Sequence, residues 1–467
     1  MIEMTAGKMA EIVEGSLMAP ADLRVWQPPA FDSRHVVPGS FFIALKGETL
    51  DGHDFFEQAI SKGAVLVLSS RPLSAPCIVV EDVIVALGRL AHYLRSQLPE
   101  LIVIGITGSQ GKTTTKDLLA AILKLDGETV ATQASFNNEL GLPMTLLNCT
   151  SRTKYCILEM GARHQGDIAS LCRIAEPDIG VVLKVGSAHI GEFGSRENIA
   201  KTKAELVHNL RKNGTAILGR YDEFTPNMTA GTNIRTLTFG ESHDADIRAS
   251  DIDIREGRAQ FDLVIPQGRA SVALRLVGAH QISNALAAAA VCSALGISIE
   301  VIAVGLSTAE MASKWRMEIH DLNNLVIIND AYNANPDSMR SALSTLALMT
   351  QERGGRSWAF LGAMHELGEI SDEEHRLIGG FVEKLGIDHL VLIAAPAYAS
   401  GLSPSSETDM HTFSHQSDAI SLLEHFLPGD VVLVKASRAE KLEELALKLE
   451  DAWSKSESGG EKIGEDQ

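Results

Sequence analysis

The run Gly105-Ile-Thr-Gly-Ser-Gln-Gly-Lys-Thr-Thr-Thr115 combines spaced glycines with a lysine and a row of hydroxyls. Glycines let backbone N–H groups turn inward around phosphate oxygens, and a helix starting at such a turn adds the positive end of its dipole. Lys112 supplies a point charge for β- and γ-phosphates, and the Thr113 hydroxyl is a ligand type suited to Mg²⁺. The longer phosphate-loop pattern has a glycine six residues before the lysine, where this chain has Ile106. The loop is therefore the shorter form Gly108-Ser109-Gln110-Gly111-Lys112-Thr113-Thr114, and it predicts a nucleotide site. A glycine turn without a ligand is the alternative.

Further polar residues follow strand-like runs, where a parallel sheet places its ligands. Glu159 ends Tyr155-Cys-Ile-Leu-Glu, and His189 follows the run ending at Val185. With Thr113 they offer two oxygens and a nitrogen to a Mg-nucleotide, although histidine is an unusual Mg²⁺ ligand. Each is otherwise a solvated loop residue. Lys203 shares a helical face with Ile199, Leu206 and Leu210, in a helix for which Ser195 is the N-cap. An inward lysine is costly unless it is paired or chemically altered, or unless its stem packs and its ammonium reaches water. The loop Ile328-Asn-Asp-Ala-Tyr-Asn-Ala-Asn-Pro336 gathers amides suited to ribose hydroxyls or peptide groups. Arg316, Lys435 and Arg438 are cations for phosphate or carboxylate at a cleft between domains; solvated surface charge is the alternative for each.

The elements needed to position these residues are legible in outline. Leu101-Ile-Val-Ile-Gly-Ile is a β-branched run of a doubly buried strand, and the helix after the glycine loop carries Leu118, Leu119, Ile122 and Leu123. Strand runs alternating with helices predict a parallel sheet. The stretch from Gly219 to Leu276 is more polar and alternating, as antiparallel strands on one edge would be. A second alternating unit has strand candidates at Leu325–Ile328, Ser357–Leu361, Leu390–Ala394 and Val431–Val434. The predicted architecture is α/β with three domains. A small mixed α/β N-terminal domain occupies 1–98, a central phosphate-loop ATPase domain with a parallel sheet 99–314, and a Rossmann-like C-terminal domain 315–453. The tail 454–467 is expected to be disordered.

These motifs resemble the Mur ligase family across all three blocks. The matching runs include Thr107-Gly-Ser-Gln-Gly-Lys-Thr-Thr-Thr115, the Asn-Asn-x-x-Gly-x-Pro segment at Asn137–Pro143, and Tyr332-Asn-Ala-Asn-Pro336. The last favours the branch of the family that adds D-Ala-D-Ala over branches that carry an Asp-Asn-Pro-Arg run. The resemblance implies an amide ligase that uses ATP and Mg²⁺ to join D-Ala-D-Ala to UDP-MurNAc-tripeptide through an acyl phosphate. It implies that Lys112 and Thr113 bind ATP phosphates and Mg²⁺, that Glu159 and His189 complete the metal sites, and that Lys203 is carbamylated. It assigns Asn284 to adenine, and Arg316, Asp330, Tyr332, Asn333 and Asn335 to nucleotide and dipeptide contacts. Ser33, Arg34, Lys46 and Gly47 match a uridine-nucleotide site, and Asn137 and Asn138 face the muramoyl end. Departures from the family pattern stand at Ala363, Ala436 and Gly219-Arg220-Tyr221. A folylpolyglutamate-type ligase, a phosphate-loop NTPase and a catalytically silent nucleotide-binding partner are the competing readings.

Composition narrows the field further. The formal net charge of −19 excludes most nucleic-acid and anionic-membrane surfaces, which need basic patches to neutralise phosphates. The five cysteines form no metal-binding or disulfide spacing. No apolar run is long enough to span a bilayer. A cytoplasmic monomer without membrane insertion is expected.

Overall fold

The computed structural model describes residues 1–460 apart from 48, 134–135, 187–189, 311–312 and 323, with side chains described to Lys455. His189 lies outside the described residues.

The N-terminal part builds a four-stranded sheet from Phe41–Ile43, Leu66–Ser69, Cys77–Val79 and Ser16–Met18, the last strand antiparallel. Its closing helix, Val83–Ser96, starts at Asp82, whose carboxylate accepts from the N–H groups of Ile84 and Val85. That helix buries Leu87, Leu90 and Leu94 in one core with Leu142, Leu146 and Ile168 of the following unit. Arg95 is fully buried at the seam. Its Nη1 donates to the carbonyls of Leu98 and Leu101, and its Nη2 donates to Asp178 Oδ2 at 2.9 Å. The same Asp178 oxygen accepts from the N–H of Val103.

The central unit is a nine-stranded sheet. From one edge it runs Thr129–Ala131, Tyr155–Glu159, Ile102–Thr107, Ile179–Val182, Thr215–Gly219, Arg235–Gly240 and Ile247–Arg255, neighbouring pairs all parallel. Arg258–Ile265 and Gly268–Val277 then add antiparallel strands, as the alternating polar pattern predicts. The helices Lys112–Leu123 and Gln281–Ala294 share a core on one face. The strand after Ile179 ends at Val182 rather than Val185, because the chain peels away there to serve the phosphate loop. Ser109 N–H donates to Lys184 C=O, and Gly186 N–H donates to Ser109 Oγ at 2.8 Å.

The third unit is a six-stranded sheet ordered Glu318–Leu322, Leu325–Asn329, Val431–Lys435, Ser357–Leu361, His389–Ile393 and Asp409–Phe413. All its pairs are parallel except the first. The last helix runs from Glu443 to Gly460, so the start of the segment expected to be disordered is helical. An Asp451–Lys455 pair, one turn apart, supports that polar extension. No described helix is long and apolar enough to cross a membrane.

Candidate active site

The strand Ile102–Thr107 delivers the chain to Gly108, and Gly111 caps the next helix with φ 85°. A Cβ at Gly111 would stand 2.3 Å from Asn284 Oδ1, so glycine is required both for the turn and for the approach of the neighbouring helix. Asn284 is held in turn: its Nδ2 donates to Gln281 Oε1 at 2.8 Å, and its Oδ1 accepts from Thr115 Oγ1. Lys112 folds its ammonium onto Gly108 C=O at 2.8 Å. Thr113 Oγ1 donates to Glu159 Oε2 at 2.9 Å, and Asn137 Nδ2 donates to Glu159 Oε1 at the same distance. Thr113 and Glu159 thus place two oxygens side by side at the start of the phosphate-loop helix. That is a donor set suited to a hard cation.

Loops from the third sheet face this one. Both groups line a single cleft of about 780 Å³. Arg316 lies 3.9 Å over the Tyr332 ring, with a buried Nε that has no hydrogen-bond partner. Lys435 is buried, and its Nζ donates to Asp330 Oδ2 at 2.6 Å and to Asn333 C=O at 2.9 Å. Asp330 Oδ1 accepts from Met317 N–H at 3.0 Å. Arg438 packs over the Trp315 ring and pairs with Glu443.

Lys112 stands on the phosphate-loop side with Glu159, within reach of the charges of Arg316 and Lys203. Burial pushes the Lys112 ammonium below its ordinary range, with Glu159 opposing the shift and Arg316 adding to it. Lys203 is buried on its helix, as the periodicity predicts, and burial together with Lys112 pushes its pKa down to about 7. The glycine turn, the start of the Lys112–Leu123 helix and the Lys112 ammonium together suit an anion such as a phosphate chain.

Of the residues singled out from sequence, Ser109 to Thr114, Asn137, Glu159, Asn284, Arg316, Asp330, Tyr332, Asn333, Asn335, Lys435 and Arg438 all line the cleft. Lys203 lies behind it, beside Lys112. Asn138 does not line it; its Oδ1 accepts from Gly141 N–H at 3.0 Å and fixes the turn. Asn335 also acts as a cap, forming a reciprocal capping box with Ser338. Ser33, Arg34, Lys46 and Gly47 belong to the N-terminal unit and lie outside this cleft. There Ser33 Oγ donates to Gln58 Oε1, Arg34 pairs with Asp32, and the backbone of Lys46 faces that of Asp51 in an isolated antiparallel bridge. An edge-to-face contact of Phe31 with Phe136, 5.8 Å between centroids, joins that unit to the loop carrying Asn137. Sequence reasoning missed His280, Lys184 and Tyr221. Burial drives His280 down to about 4, so its ring is neutral in the cleft wall. Lys184 follows a strand's C-terminal end, a signal that the rule applied to Glu159 would have caught. Tyr221 and Phe239 form an apolar wall, with ring centroids 6.0 Å apart.

The chain is similar to known proteins along most of its length. Residues 30–93 match the catalytic domain of the Mur ligase family, 106–292 the Mur ligase middle domain, and 315–438 the Mur ligase glutamate ligase domain. The UDP-N-acetylmuramoyl-tripeptide–D-alanyl-D-alanine ligase of Mycobacterium tuberculosis is 42% identical, over 95% of this chain and 96% of its own length. MurF from Acinetobacter baumannii superposes with a TM-score of 0.86 at 34% identity, covering 96% of this chain and 99% of that one. MurF from Thermotoga maritima, solved in complex with ADP, gives 0.79 at 30% identity, covering 92% and 98%.

Proposed function

The chain belongs to the Mur ligase family, and we propose that it joins D-alanyl-D-alanine to UDP-MurNAc-tripeptide, consuming ATP and releasing ADP and phosphate. The observation that carries this reading is the cleft itself. A phosphate loop on one sheet faces Arg316, Asp330 and Lys435 on another, so a nucleotide and a second substrate meet between two units. A division into three domains, at 1–98, 99–314 and 315–453, is supported by the four-, nine- and six-stranded sheets, one in each.

In this reading Lys112 leaves the Gly108 carbonyl and binds the β- and γ-phosphates, where its charge disperses that of the transferring phosphoryl group. The loop N–H groups and Thr114 orient the same phosphates, and Asn284 stands where adenine would lie. Thr113 and Glu159 would hold Mg²⁺, which would act as a Lewis acid on phosphate oxygens. Lys203, with its pKa near 7, presents a free amine at neutral pH. As a carbamate it would add an anion beside Lys112. The tripeptide carboxylate takes the γ-phosphoryl group to form an acyl phosphate. The dipeptide amine then displaces phosphate, with Arg316 stabilising the oxyanion of the tetrahedral intermediate. Tyr332 and Asn333 contact the dipeptide, and Lys435 holds Asp330 and the Asn333 carbonyl so that their loop keeps its shape. Ser33, Arg34, Lys46 and Gly47 bind the uridine nucleotide, with Asn137 toward the muramoyl end.

Phosphate release from ATP, measured with UDP-MurNAc-tripeptide while adding or omitting D-Ala-D-Ala, tests the reading when the product is followed by mass. Release requiring both substrates, with a UDP-linked pentapeptide formed, is expected. Release without either substrate would instead mark an NTPase, and ligation of a different amino acid would replace the dipeptide assignment.

A further inference from the structure

At the end of the third sheet opposite the cleft, two neighbouring strands begin with metal-ligating side chains. His389 opens one strand and pairs in register with Asp409, which opens the next; His411 lies two residues on, on the same face. One ligand atom from each of the three lies within 4.8 Å of the others. Asp409 Oδ2 is 3.5 Å from His389 Nδ1 and 3.2 Å from His411 Nε2. Both of these nitrogens are buried and neither has a hydrogen-bond partner. Buried nitrogens left without a partner cost free energy, and two of them close to one carboxylate oxygen without bonding it need an explanation.

The surroundings fix the imidazoles and prepare them to ligate. Trp358 stacks on the His389 ring, with centroids 3.7 Å apart and planes within 11°. The nearby cation, Arg356, is engaged by Asp430 at 2.7 Å, and Trp358 Nε1 donates to the same carboxylate at 2.9 Å. Asp409 is exposed, which leaves one side of the cluster open to water.

We propose that His389, Asp409 and His411 form a binding site for a borderline divalent transition-metal ion, with Zn²⁺ the best fit. Two imidazole nitrogens and one carboxylate oxygen are a donor set that Zn²⁺ takes readily, with water completing a tetrahedron. Mg²⁺ prefers oxygen ligands and does not suit the site. The ion would clip the edge strand Asp409–Phe413, which is paired on one side only, to its inner neighbour. No residue of the nucleotide cleft takes part.

The test uses the full-length protein without nucleotide, in excess Mg²⁺ to cover the active cleft. Zn²⁺ is titrated in competition with a chromophoric chelator, and Co²⁺ is added separately as a visible-absorption probe. One equivalent of Zn²⁺ is expected, with affinity at least about tenfold weaker in His411→Ala and in Asp409→Ala. Co²⁺ should give d–d bands that both substitutions remove. His389 is left in place because it packs on Trp358. Ligase turnover in Mg²⁺ should be unchanged in His411→Ala, which shows that the variant is folded. A wild-type protein that takes up no Zn²⁺ against the chelator would overturn the proposal. So would an equivalent that both variants bind as tightly as the wild type, since the ion would then sit elsewhere.

Discussion

Lys203 loses its proton near pH 7 because burial and the charge of Lys112 both disfavour the ammonium. In the unfolded chain its pKa is close to 10.4. Below pH 7 both states carry the proton, and the folded protein bears the full cost of the buried charge. Between pH 7 and the unfolded value the unfolded chain holds a proton that the folded one lacks, so stability rises with pH. In CO₂-free buffer Lys203→Met should therefore be more stable than the wild type at pH 7. The gap should narrow toward pH 9 by up to about 1.4 kcal/mol per unit, and urea denaturation at the two pH values measures it. Lys112→Met should lower ligase turnover by roughly 10²–10³-fold, the usual cost of removing one charge-stabilising donor. Its reading is steady-state phosphate release at saturating substrates. Lys112, Thr113 and Glu159 were legible in the sequence because strand–turn–helix context and position past a strand end assign them together. Asn335 lines the cleft as well, but the capping bonds of Asn138 and Asn335 were not legible, since an asparagine that caps a turn looks like one that binds a ligand until the N–H it accepts from is visible. His280 sits just before a helix whose first turn the sequence blurs, and nothing in its spacing separates it from a core histidine.

The elements that place these residues depend on close approaches that can be broken singly. A Cβ at Gly111 meets Asn284 Oδ1 and needs φ 85°, so Gly111→Ala should push the Gln281–Ala294 helix off the loop. The KM for ATP should rise at least tenfold while that for the UDP-linked substrate stays within a factor of two. Arg95 is a second such point. Its guanidinium donates to the carbonyls of Leu98 and Leu101 on one side of the first seam and of Ala175 on the other, and pairs with Asp178, which also accepts from the strand leading to the phosphate loop. Arg95→Met should cost about 1–3 kcal/mol by urea denaturation, since it leaves those carbonyls short of donors and strips one partner from the half-buried Asp178, which keeps Arg211. Arg95→Lys should recover little, because one ammonium cannot reproduce the fork. Strand cores such as Ile102–Thr107 and Val431–Lys435 were readable from β-branched runs, because sheets covered on both faces demand them. Their ends were less so. The strand from Ile179 stops at Val182 because Lys184 C=O and the Gly186 N–H bond to Ser109 instead of continuing the ladder. That is a long-range choice no local pattern records.

At the scale of the whole molecule, the phosphate loop and the residues facing it sit on different sheets, so the cleft exists only while the central and third units stay together. Two glycines meet where they touch. A Cβ on Gly191, in the short helix Ile190–Phe193, would stand 2.8 Å from Gly368 N and 3.1 Å from Glu366 O. Arg163 reaches Glu366 across the same boundary at 3.9 Å, an exposed pair that contributes little on its own. The backbones approach too closely for any side chain at Gly191, and a valine there would act as a wedge. The wedge would not touch Lys112, Thr113 or Glu159, so nucleotide binding to the central unit should persist. What it would disturb is the distance from those residues to Arg316 and Asp330, and an acyl phosphate in an open cleft meets water before it meets an amine. Gly191→Val should therefore lower dipeptide ligation about tenfold or more, while ADP affinity by calorimetry changes less than twofold. Small-angle scattering with nucleotide and UDP-substrate bound should show a larger radius of gyration than the wild type. Should ligation fall with no change in that radius, the contact would be acting locally rather than holding the two units together.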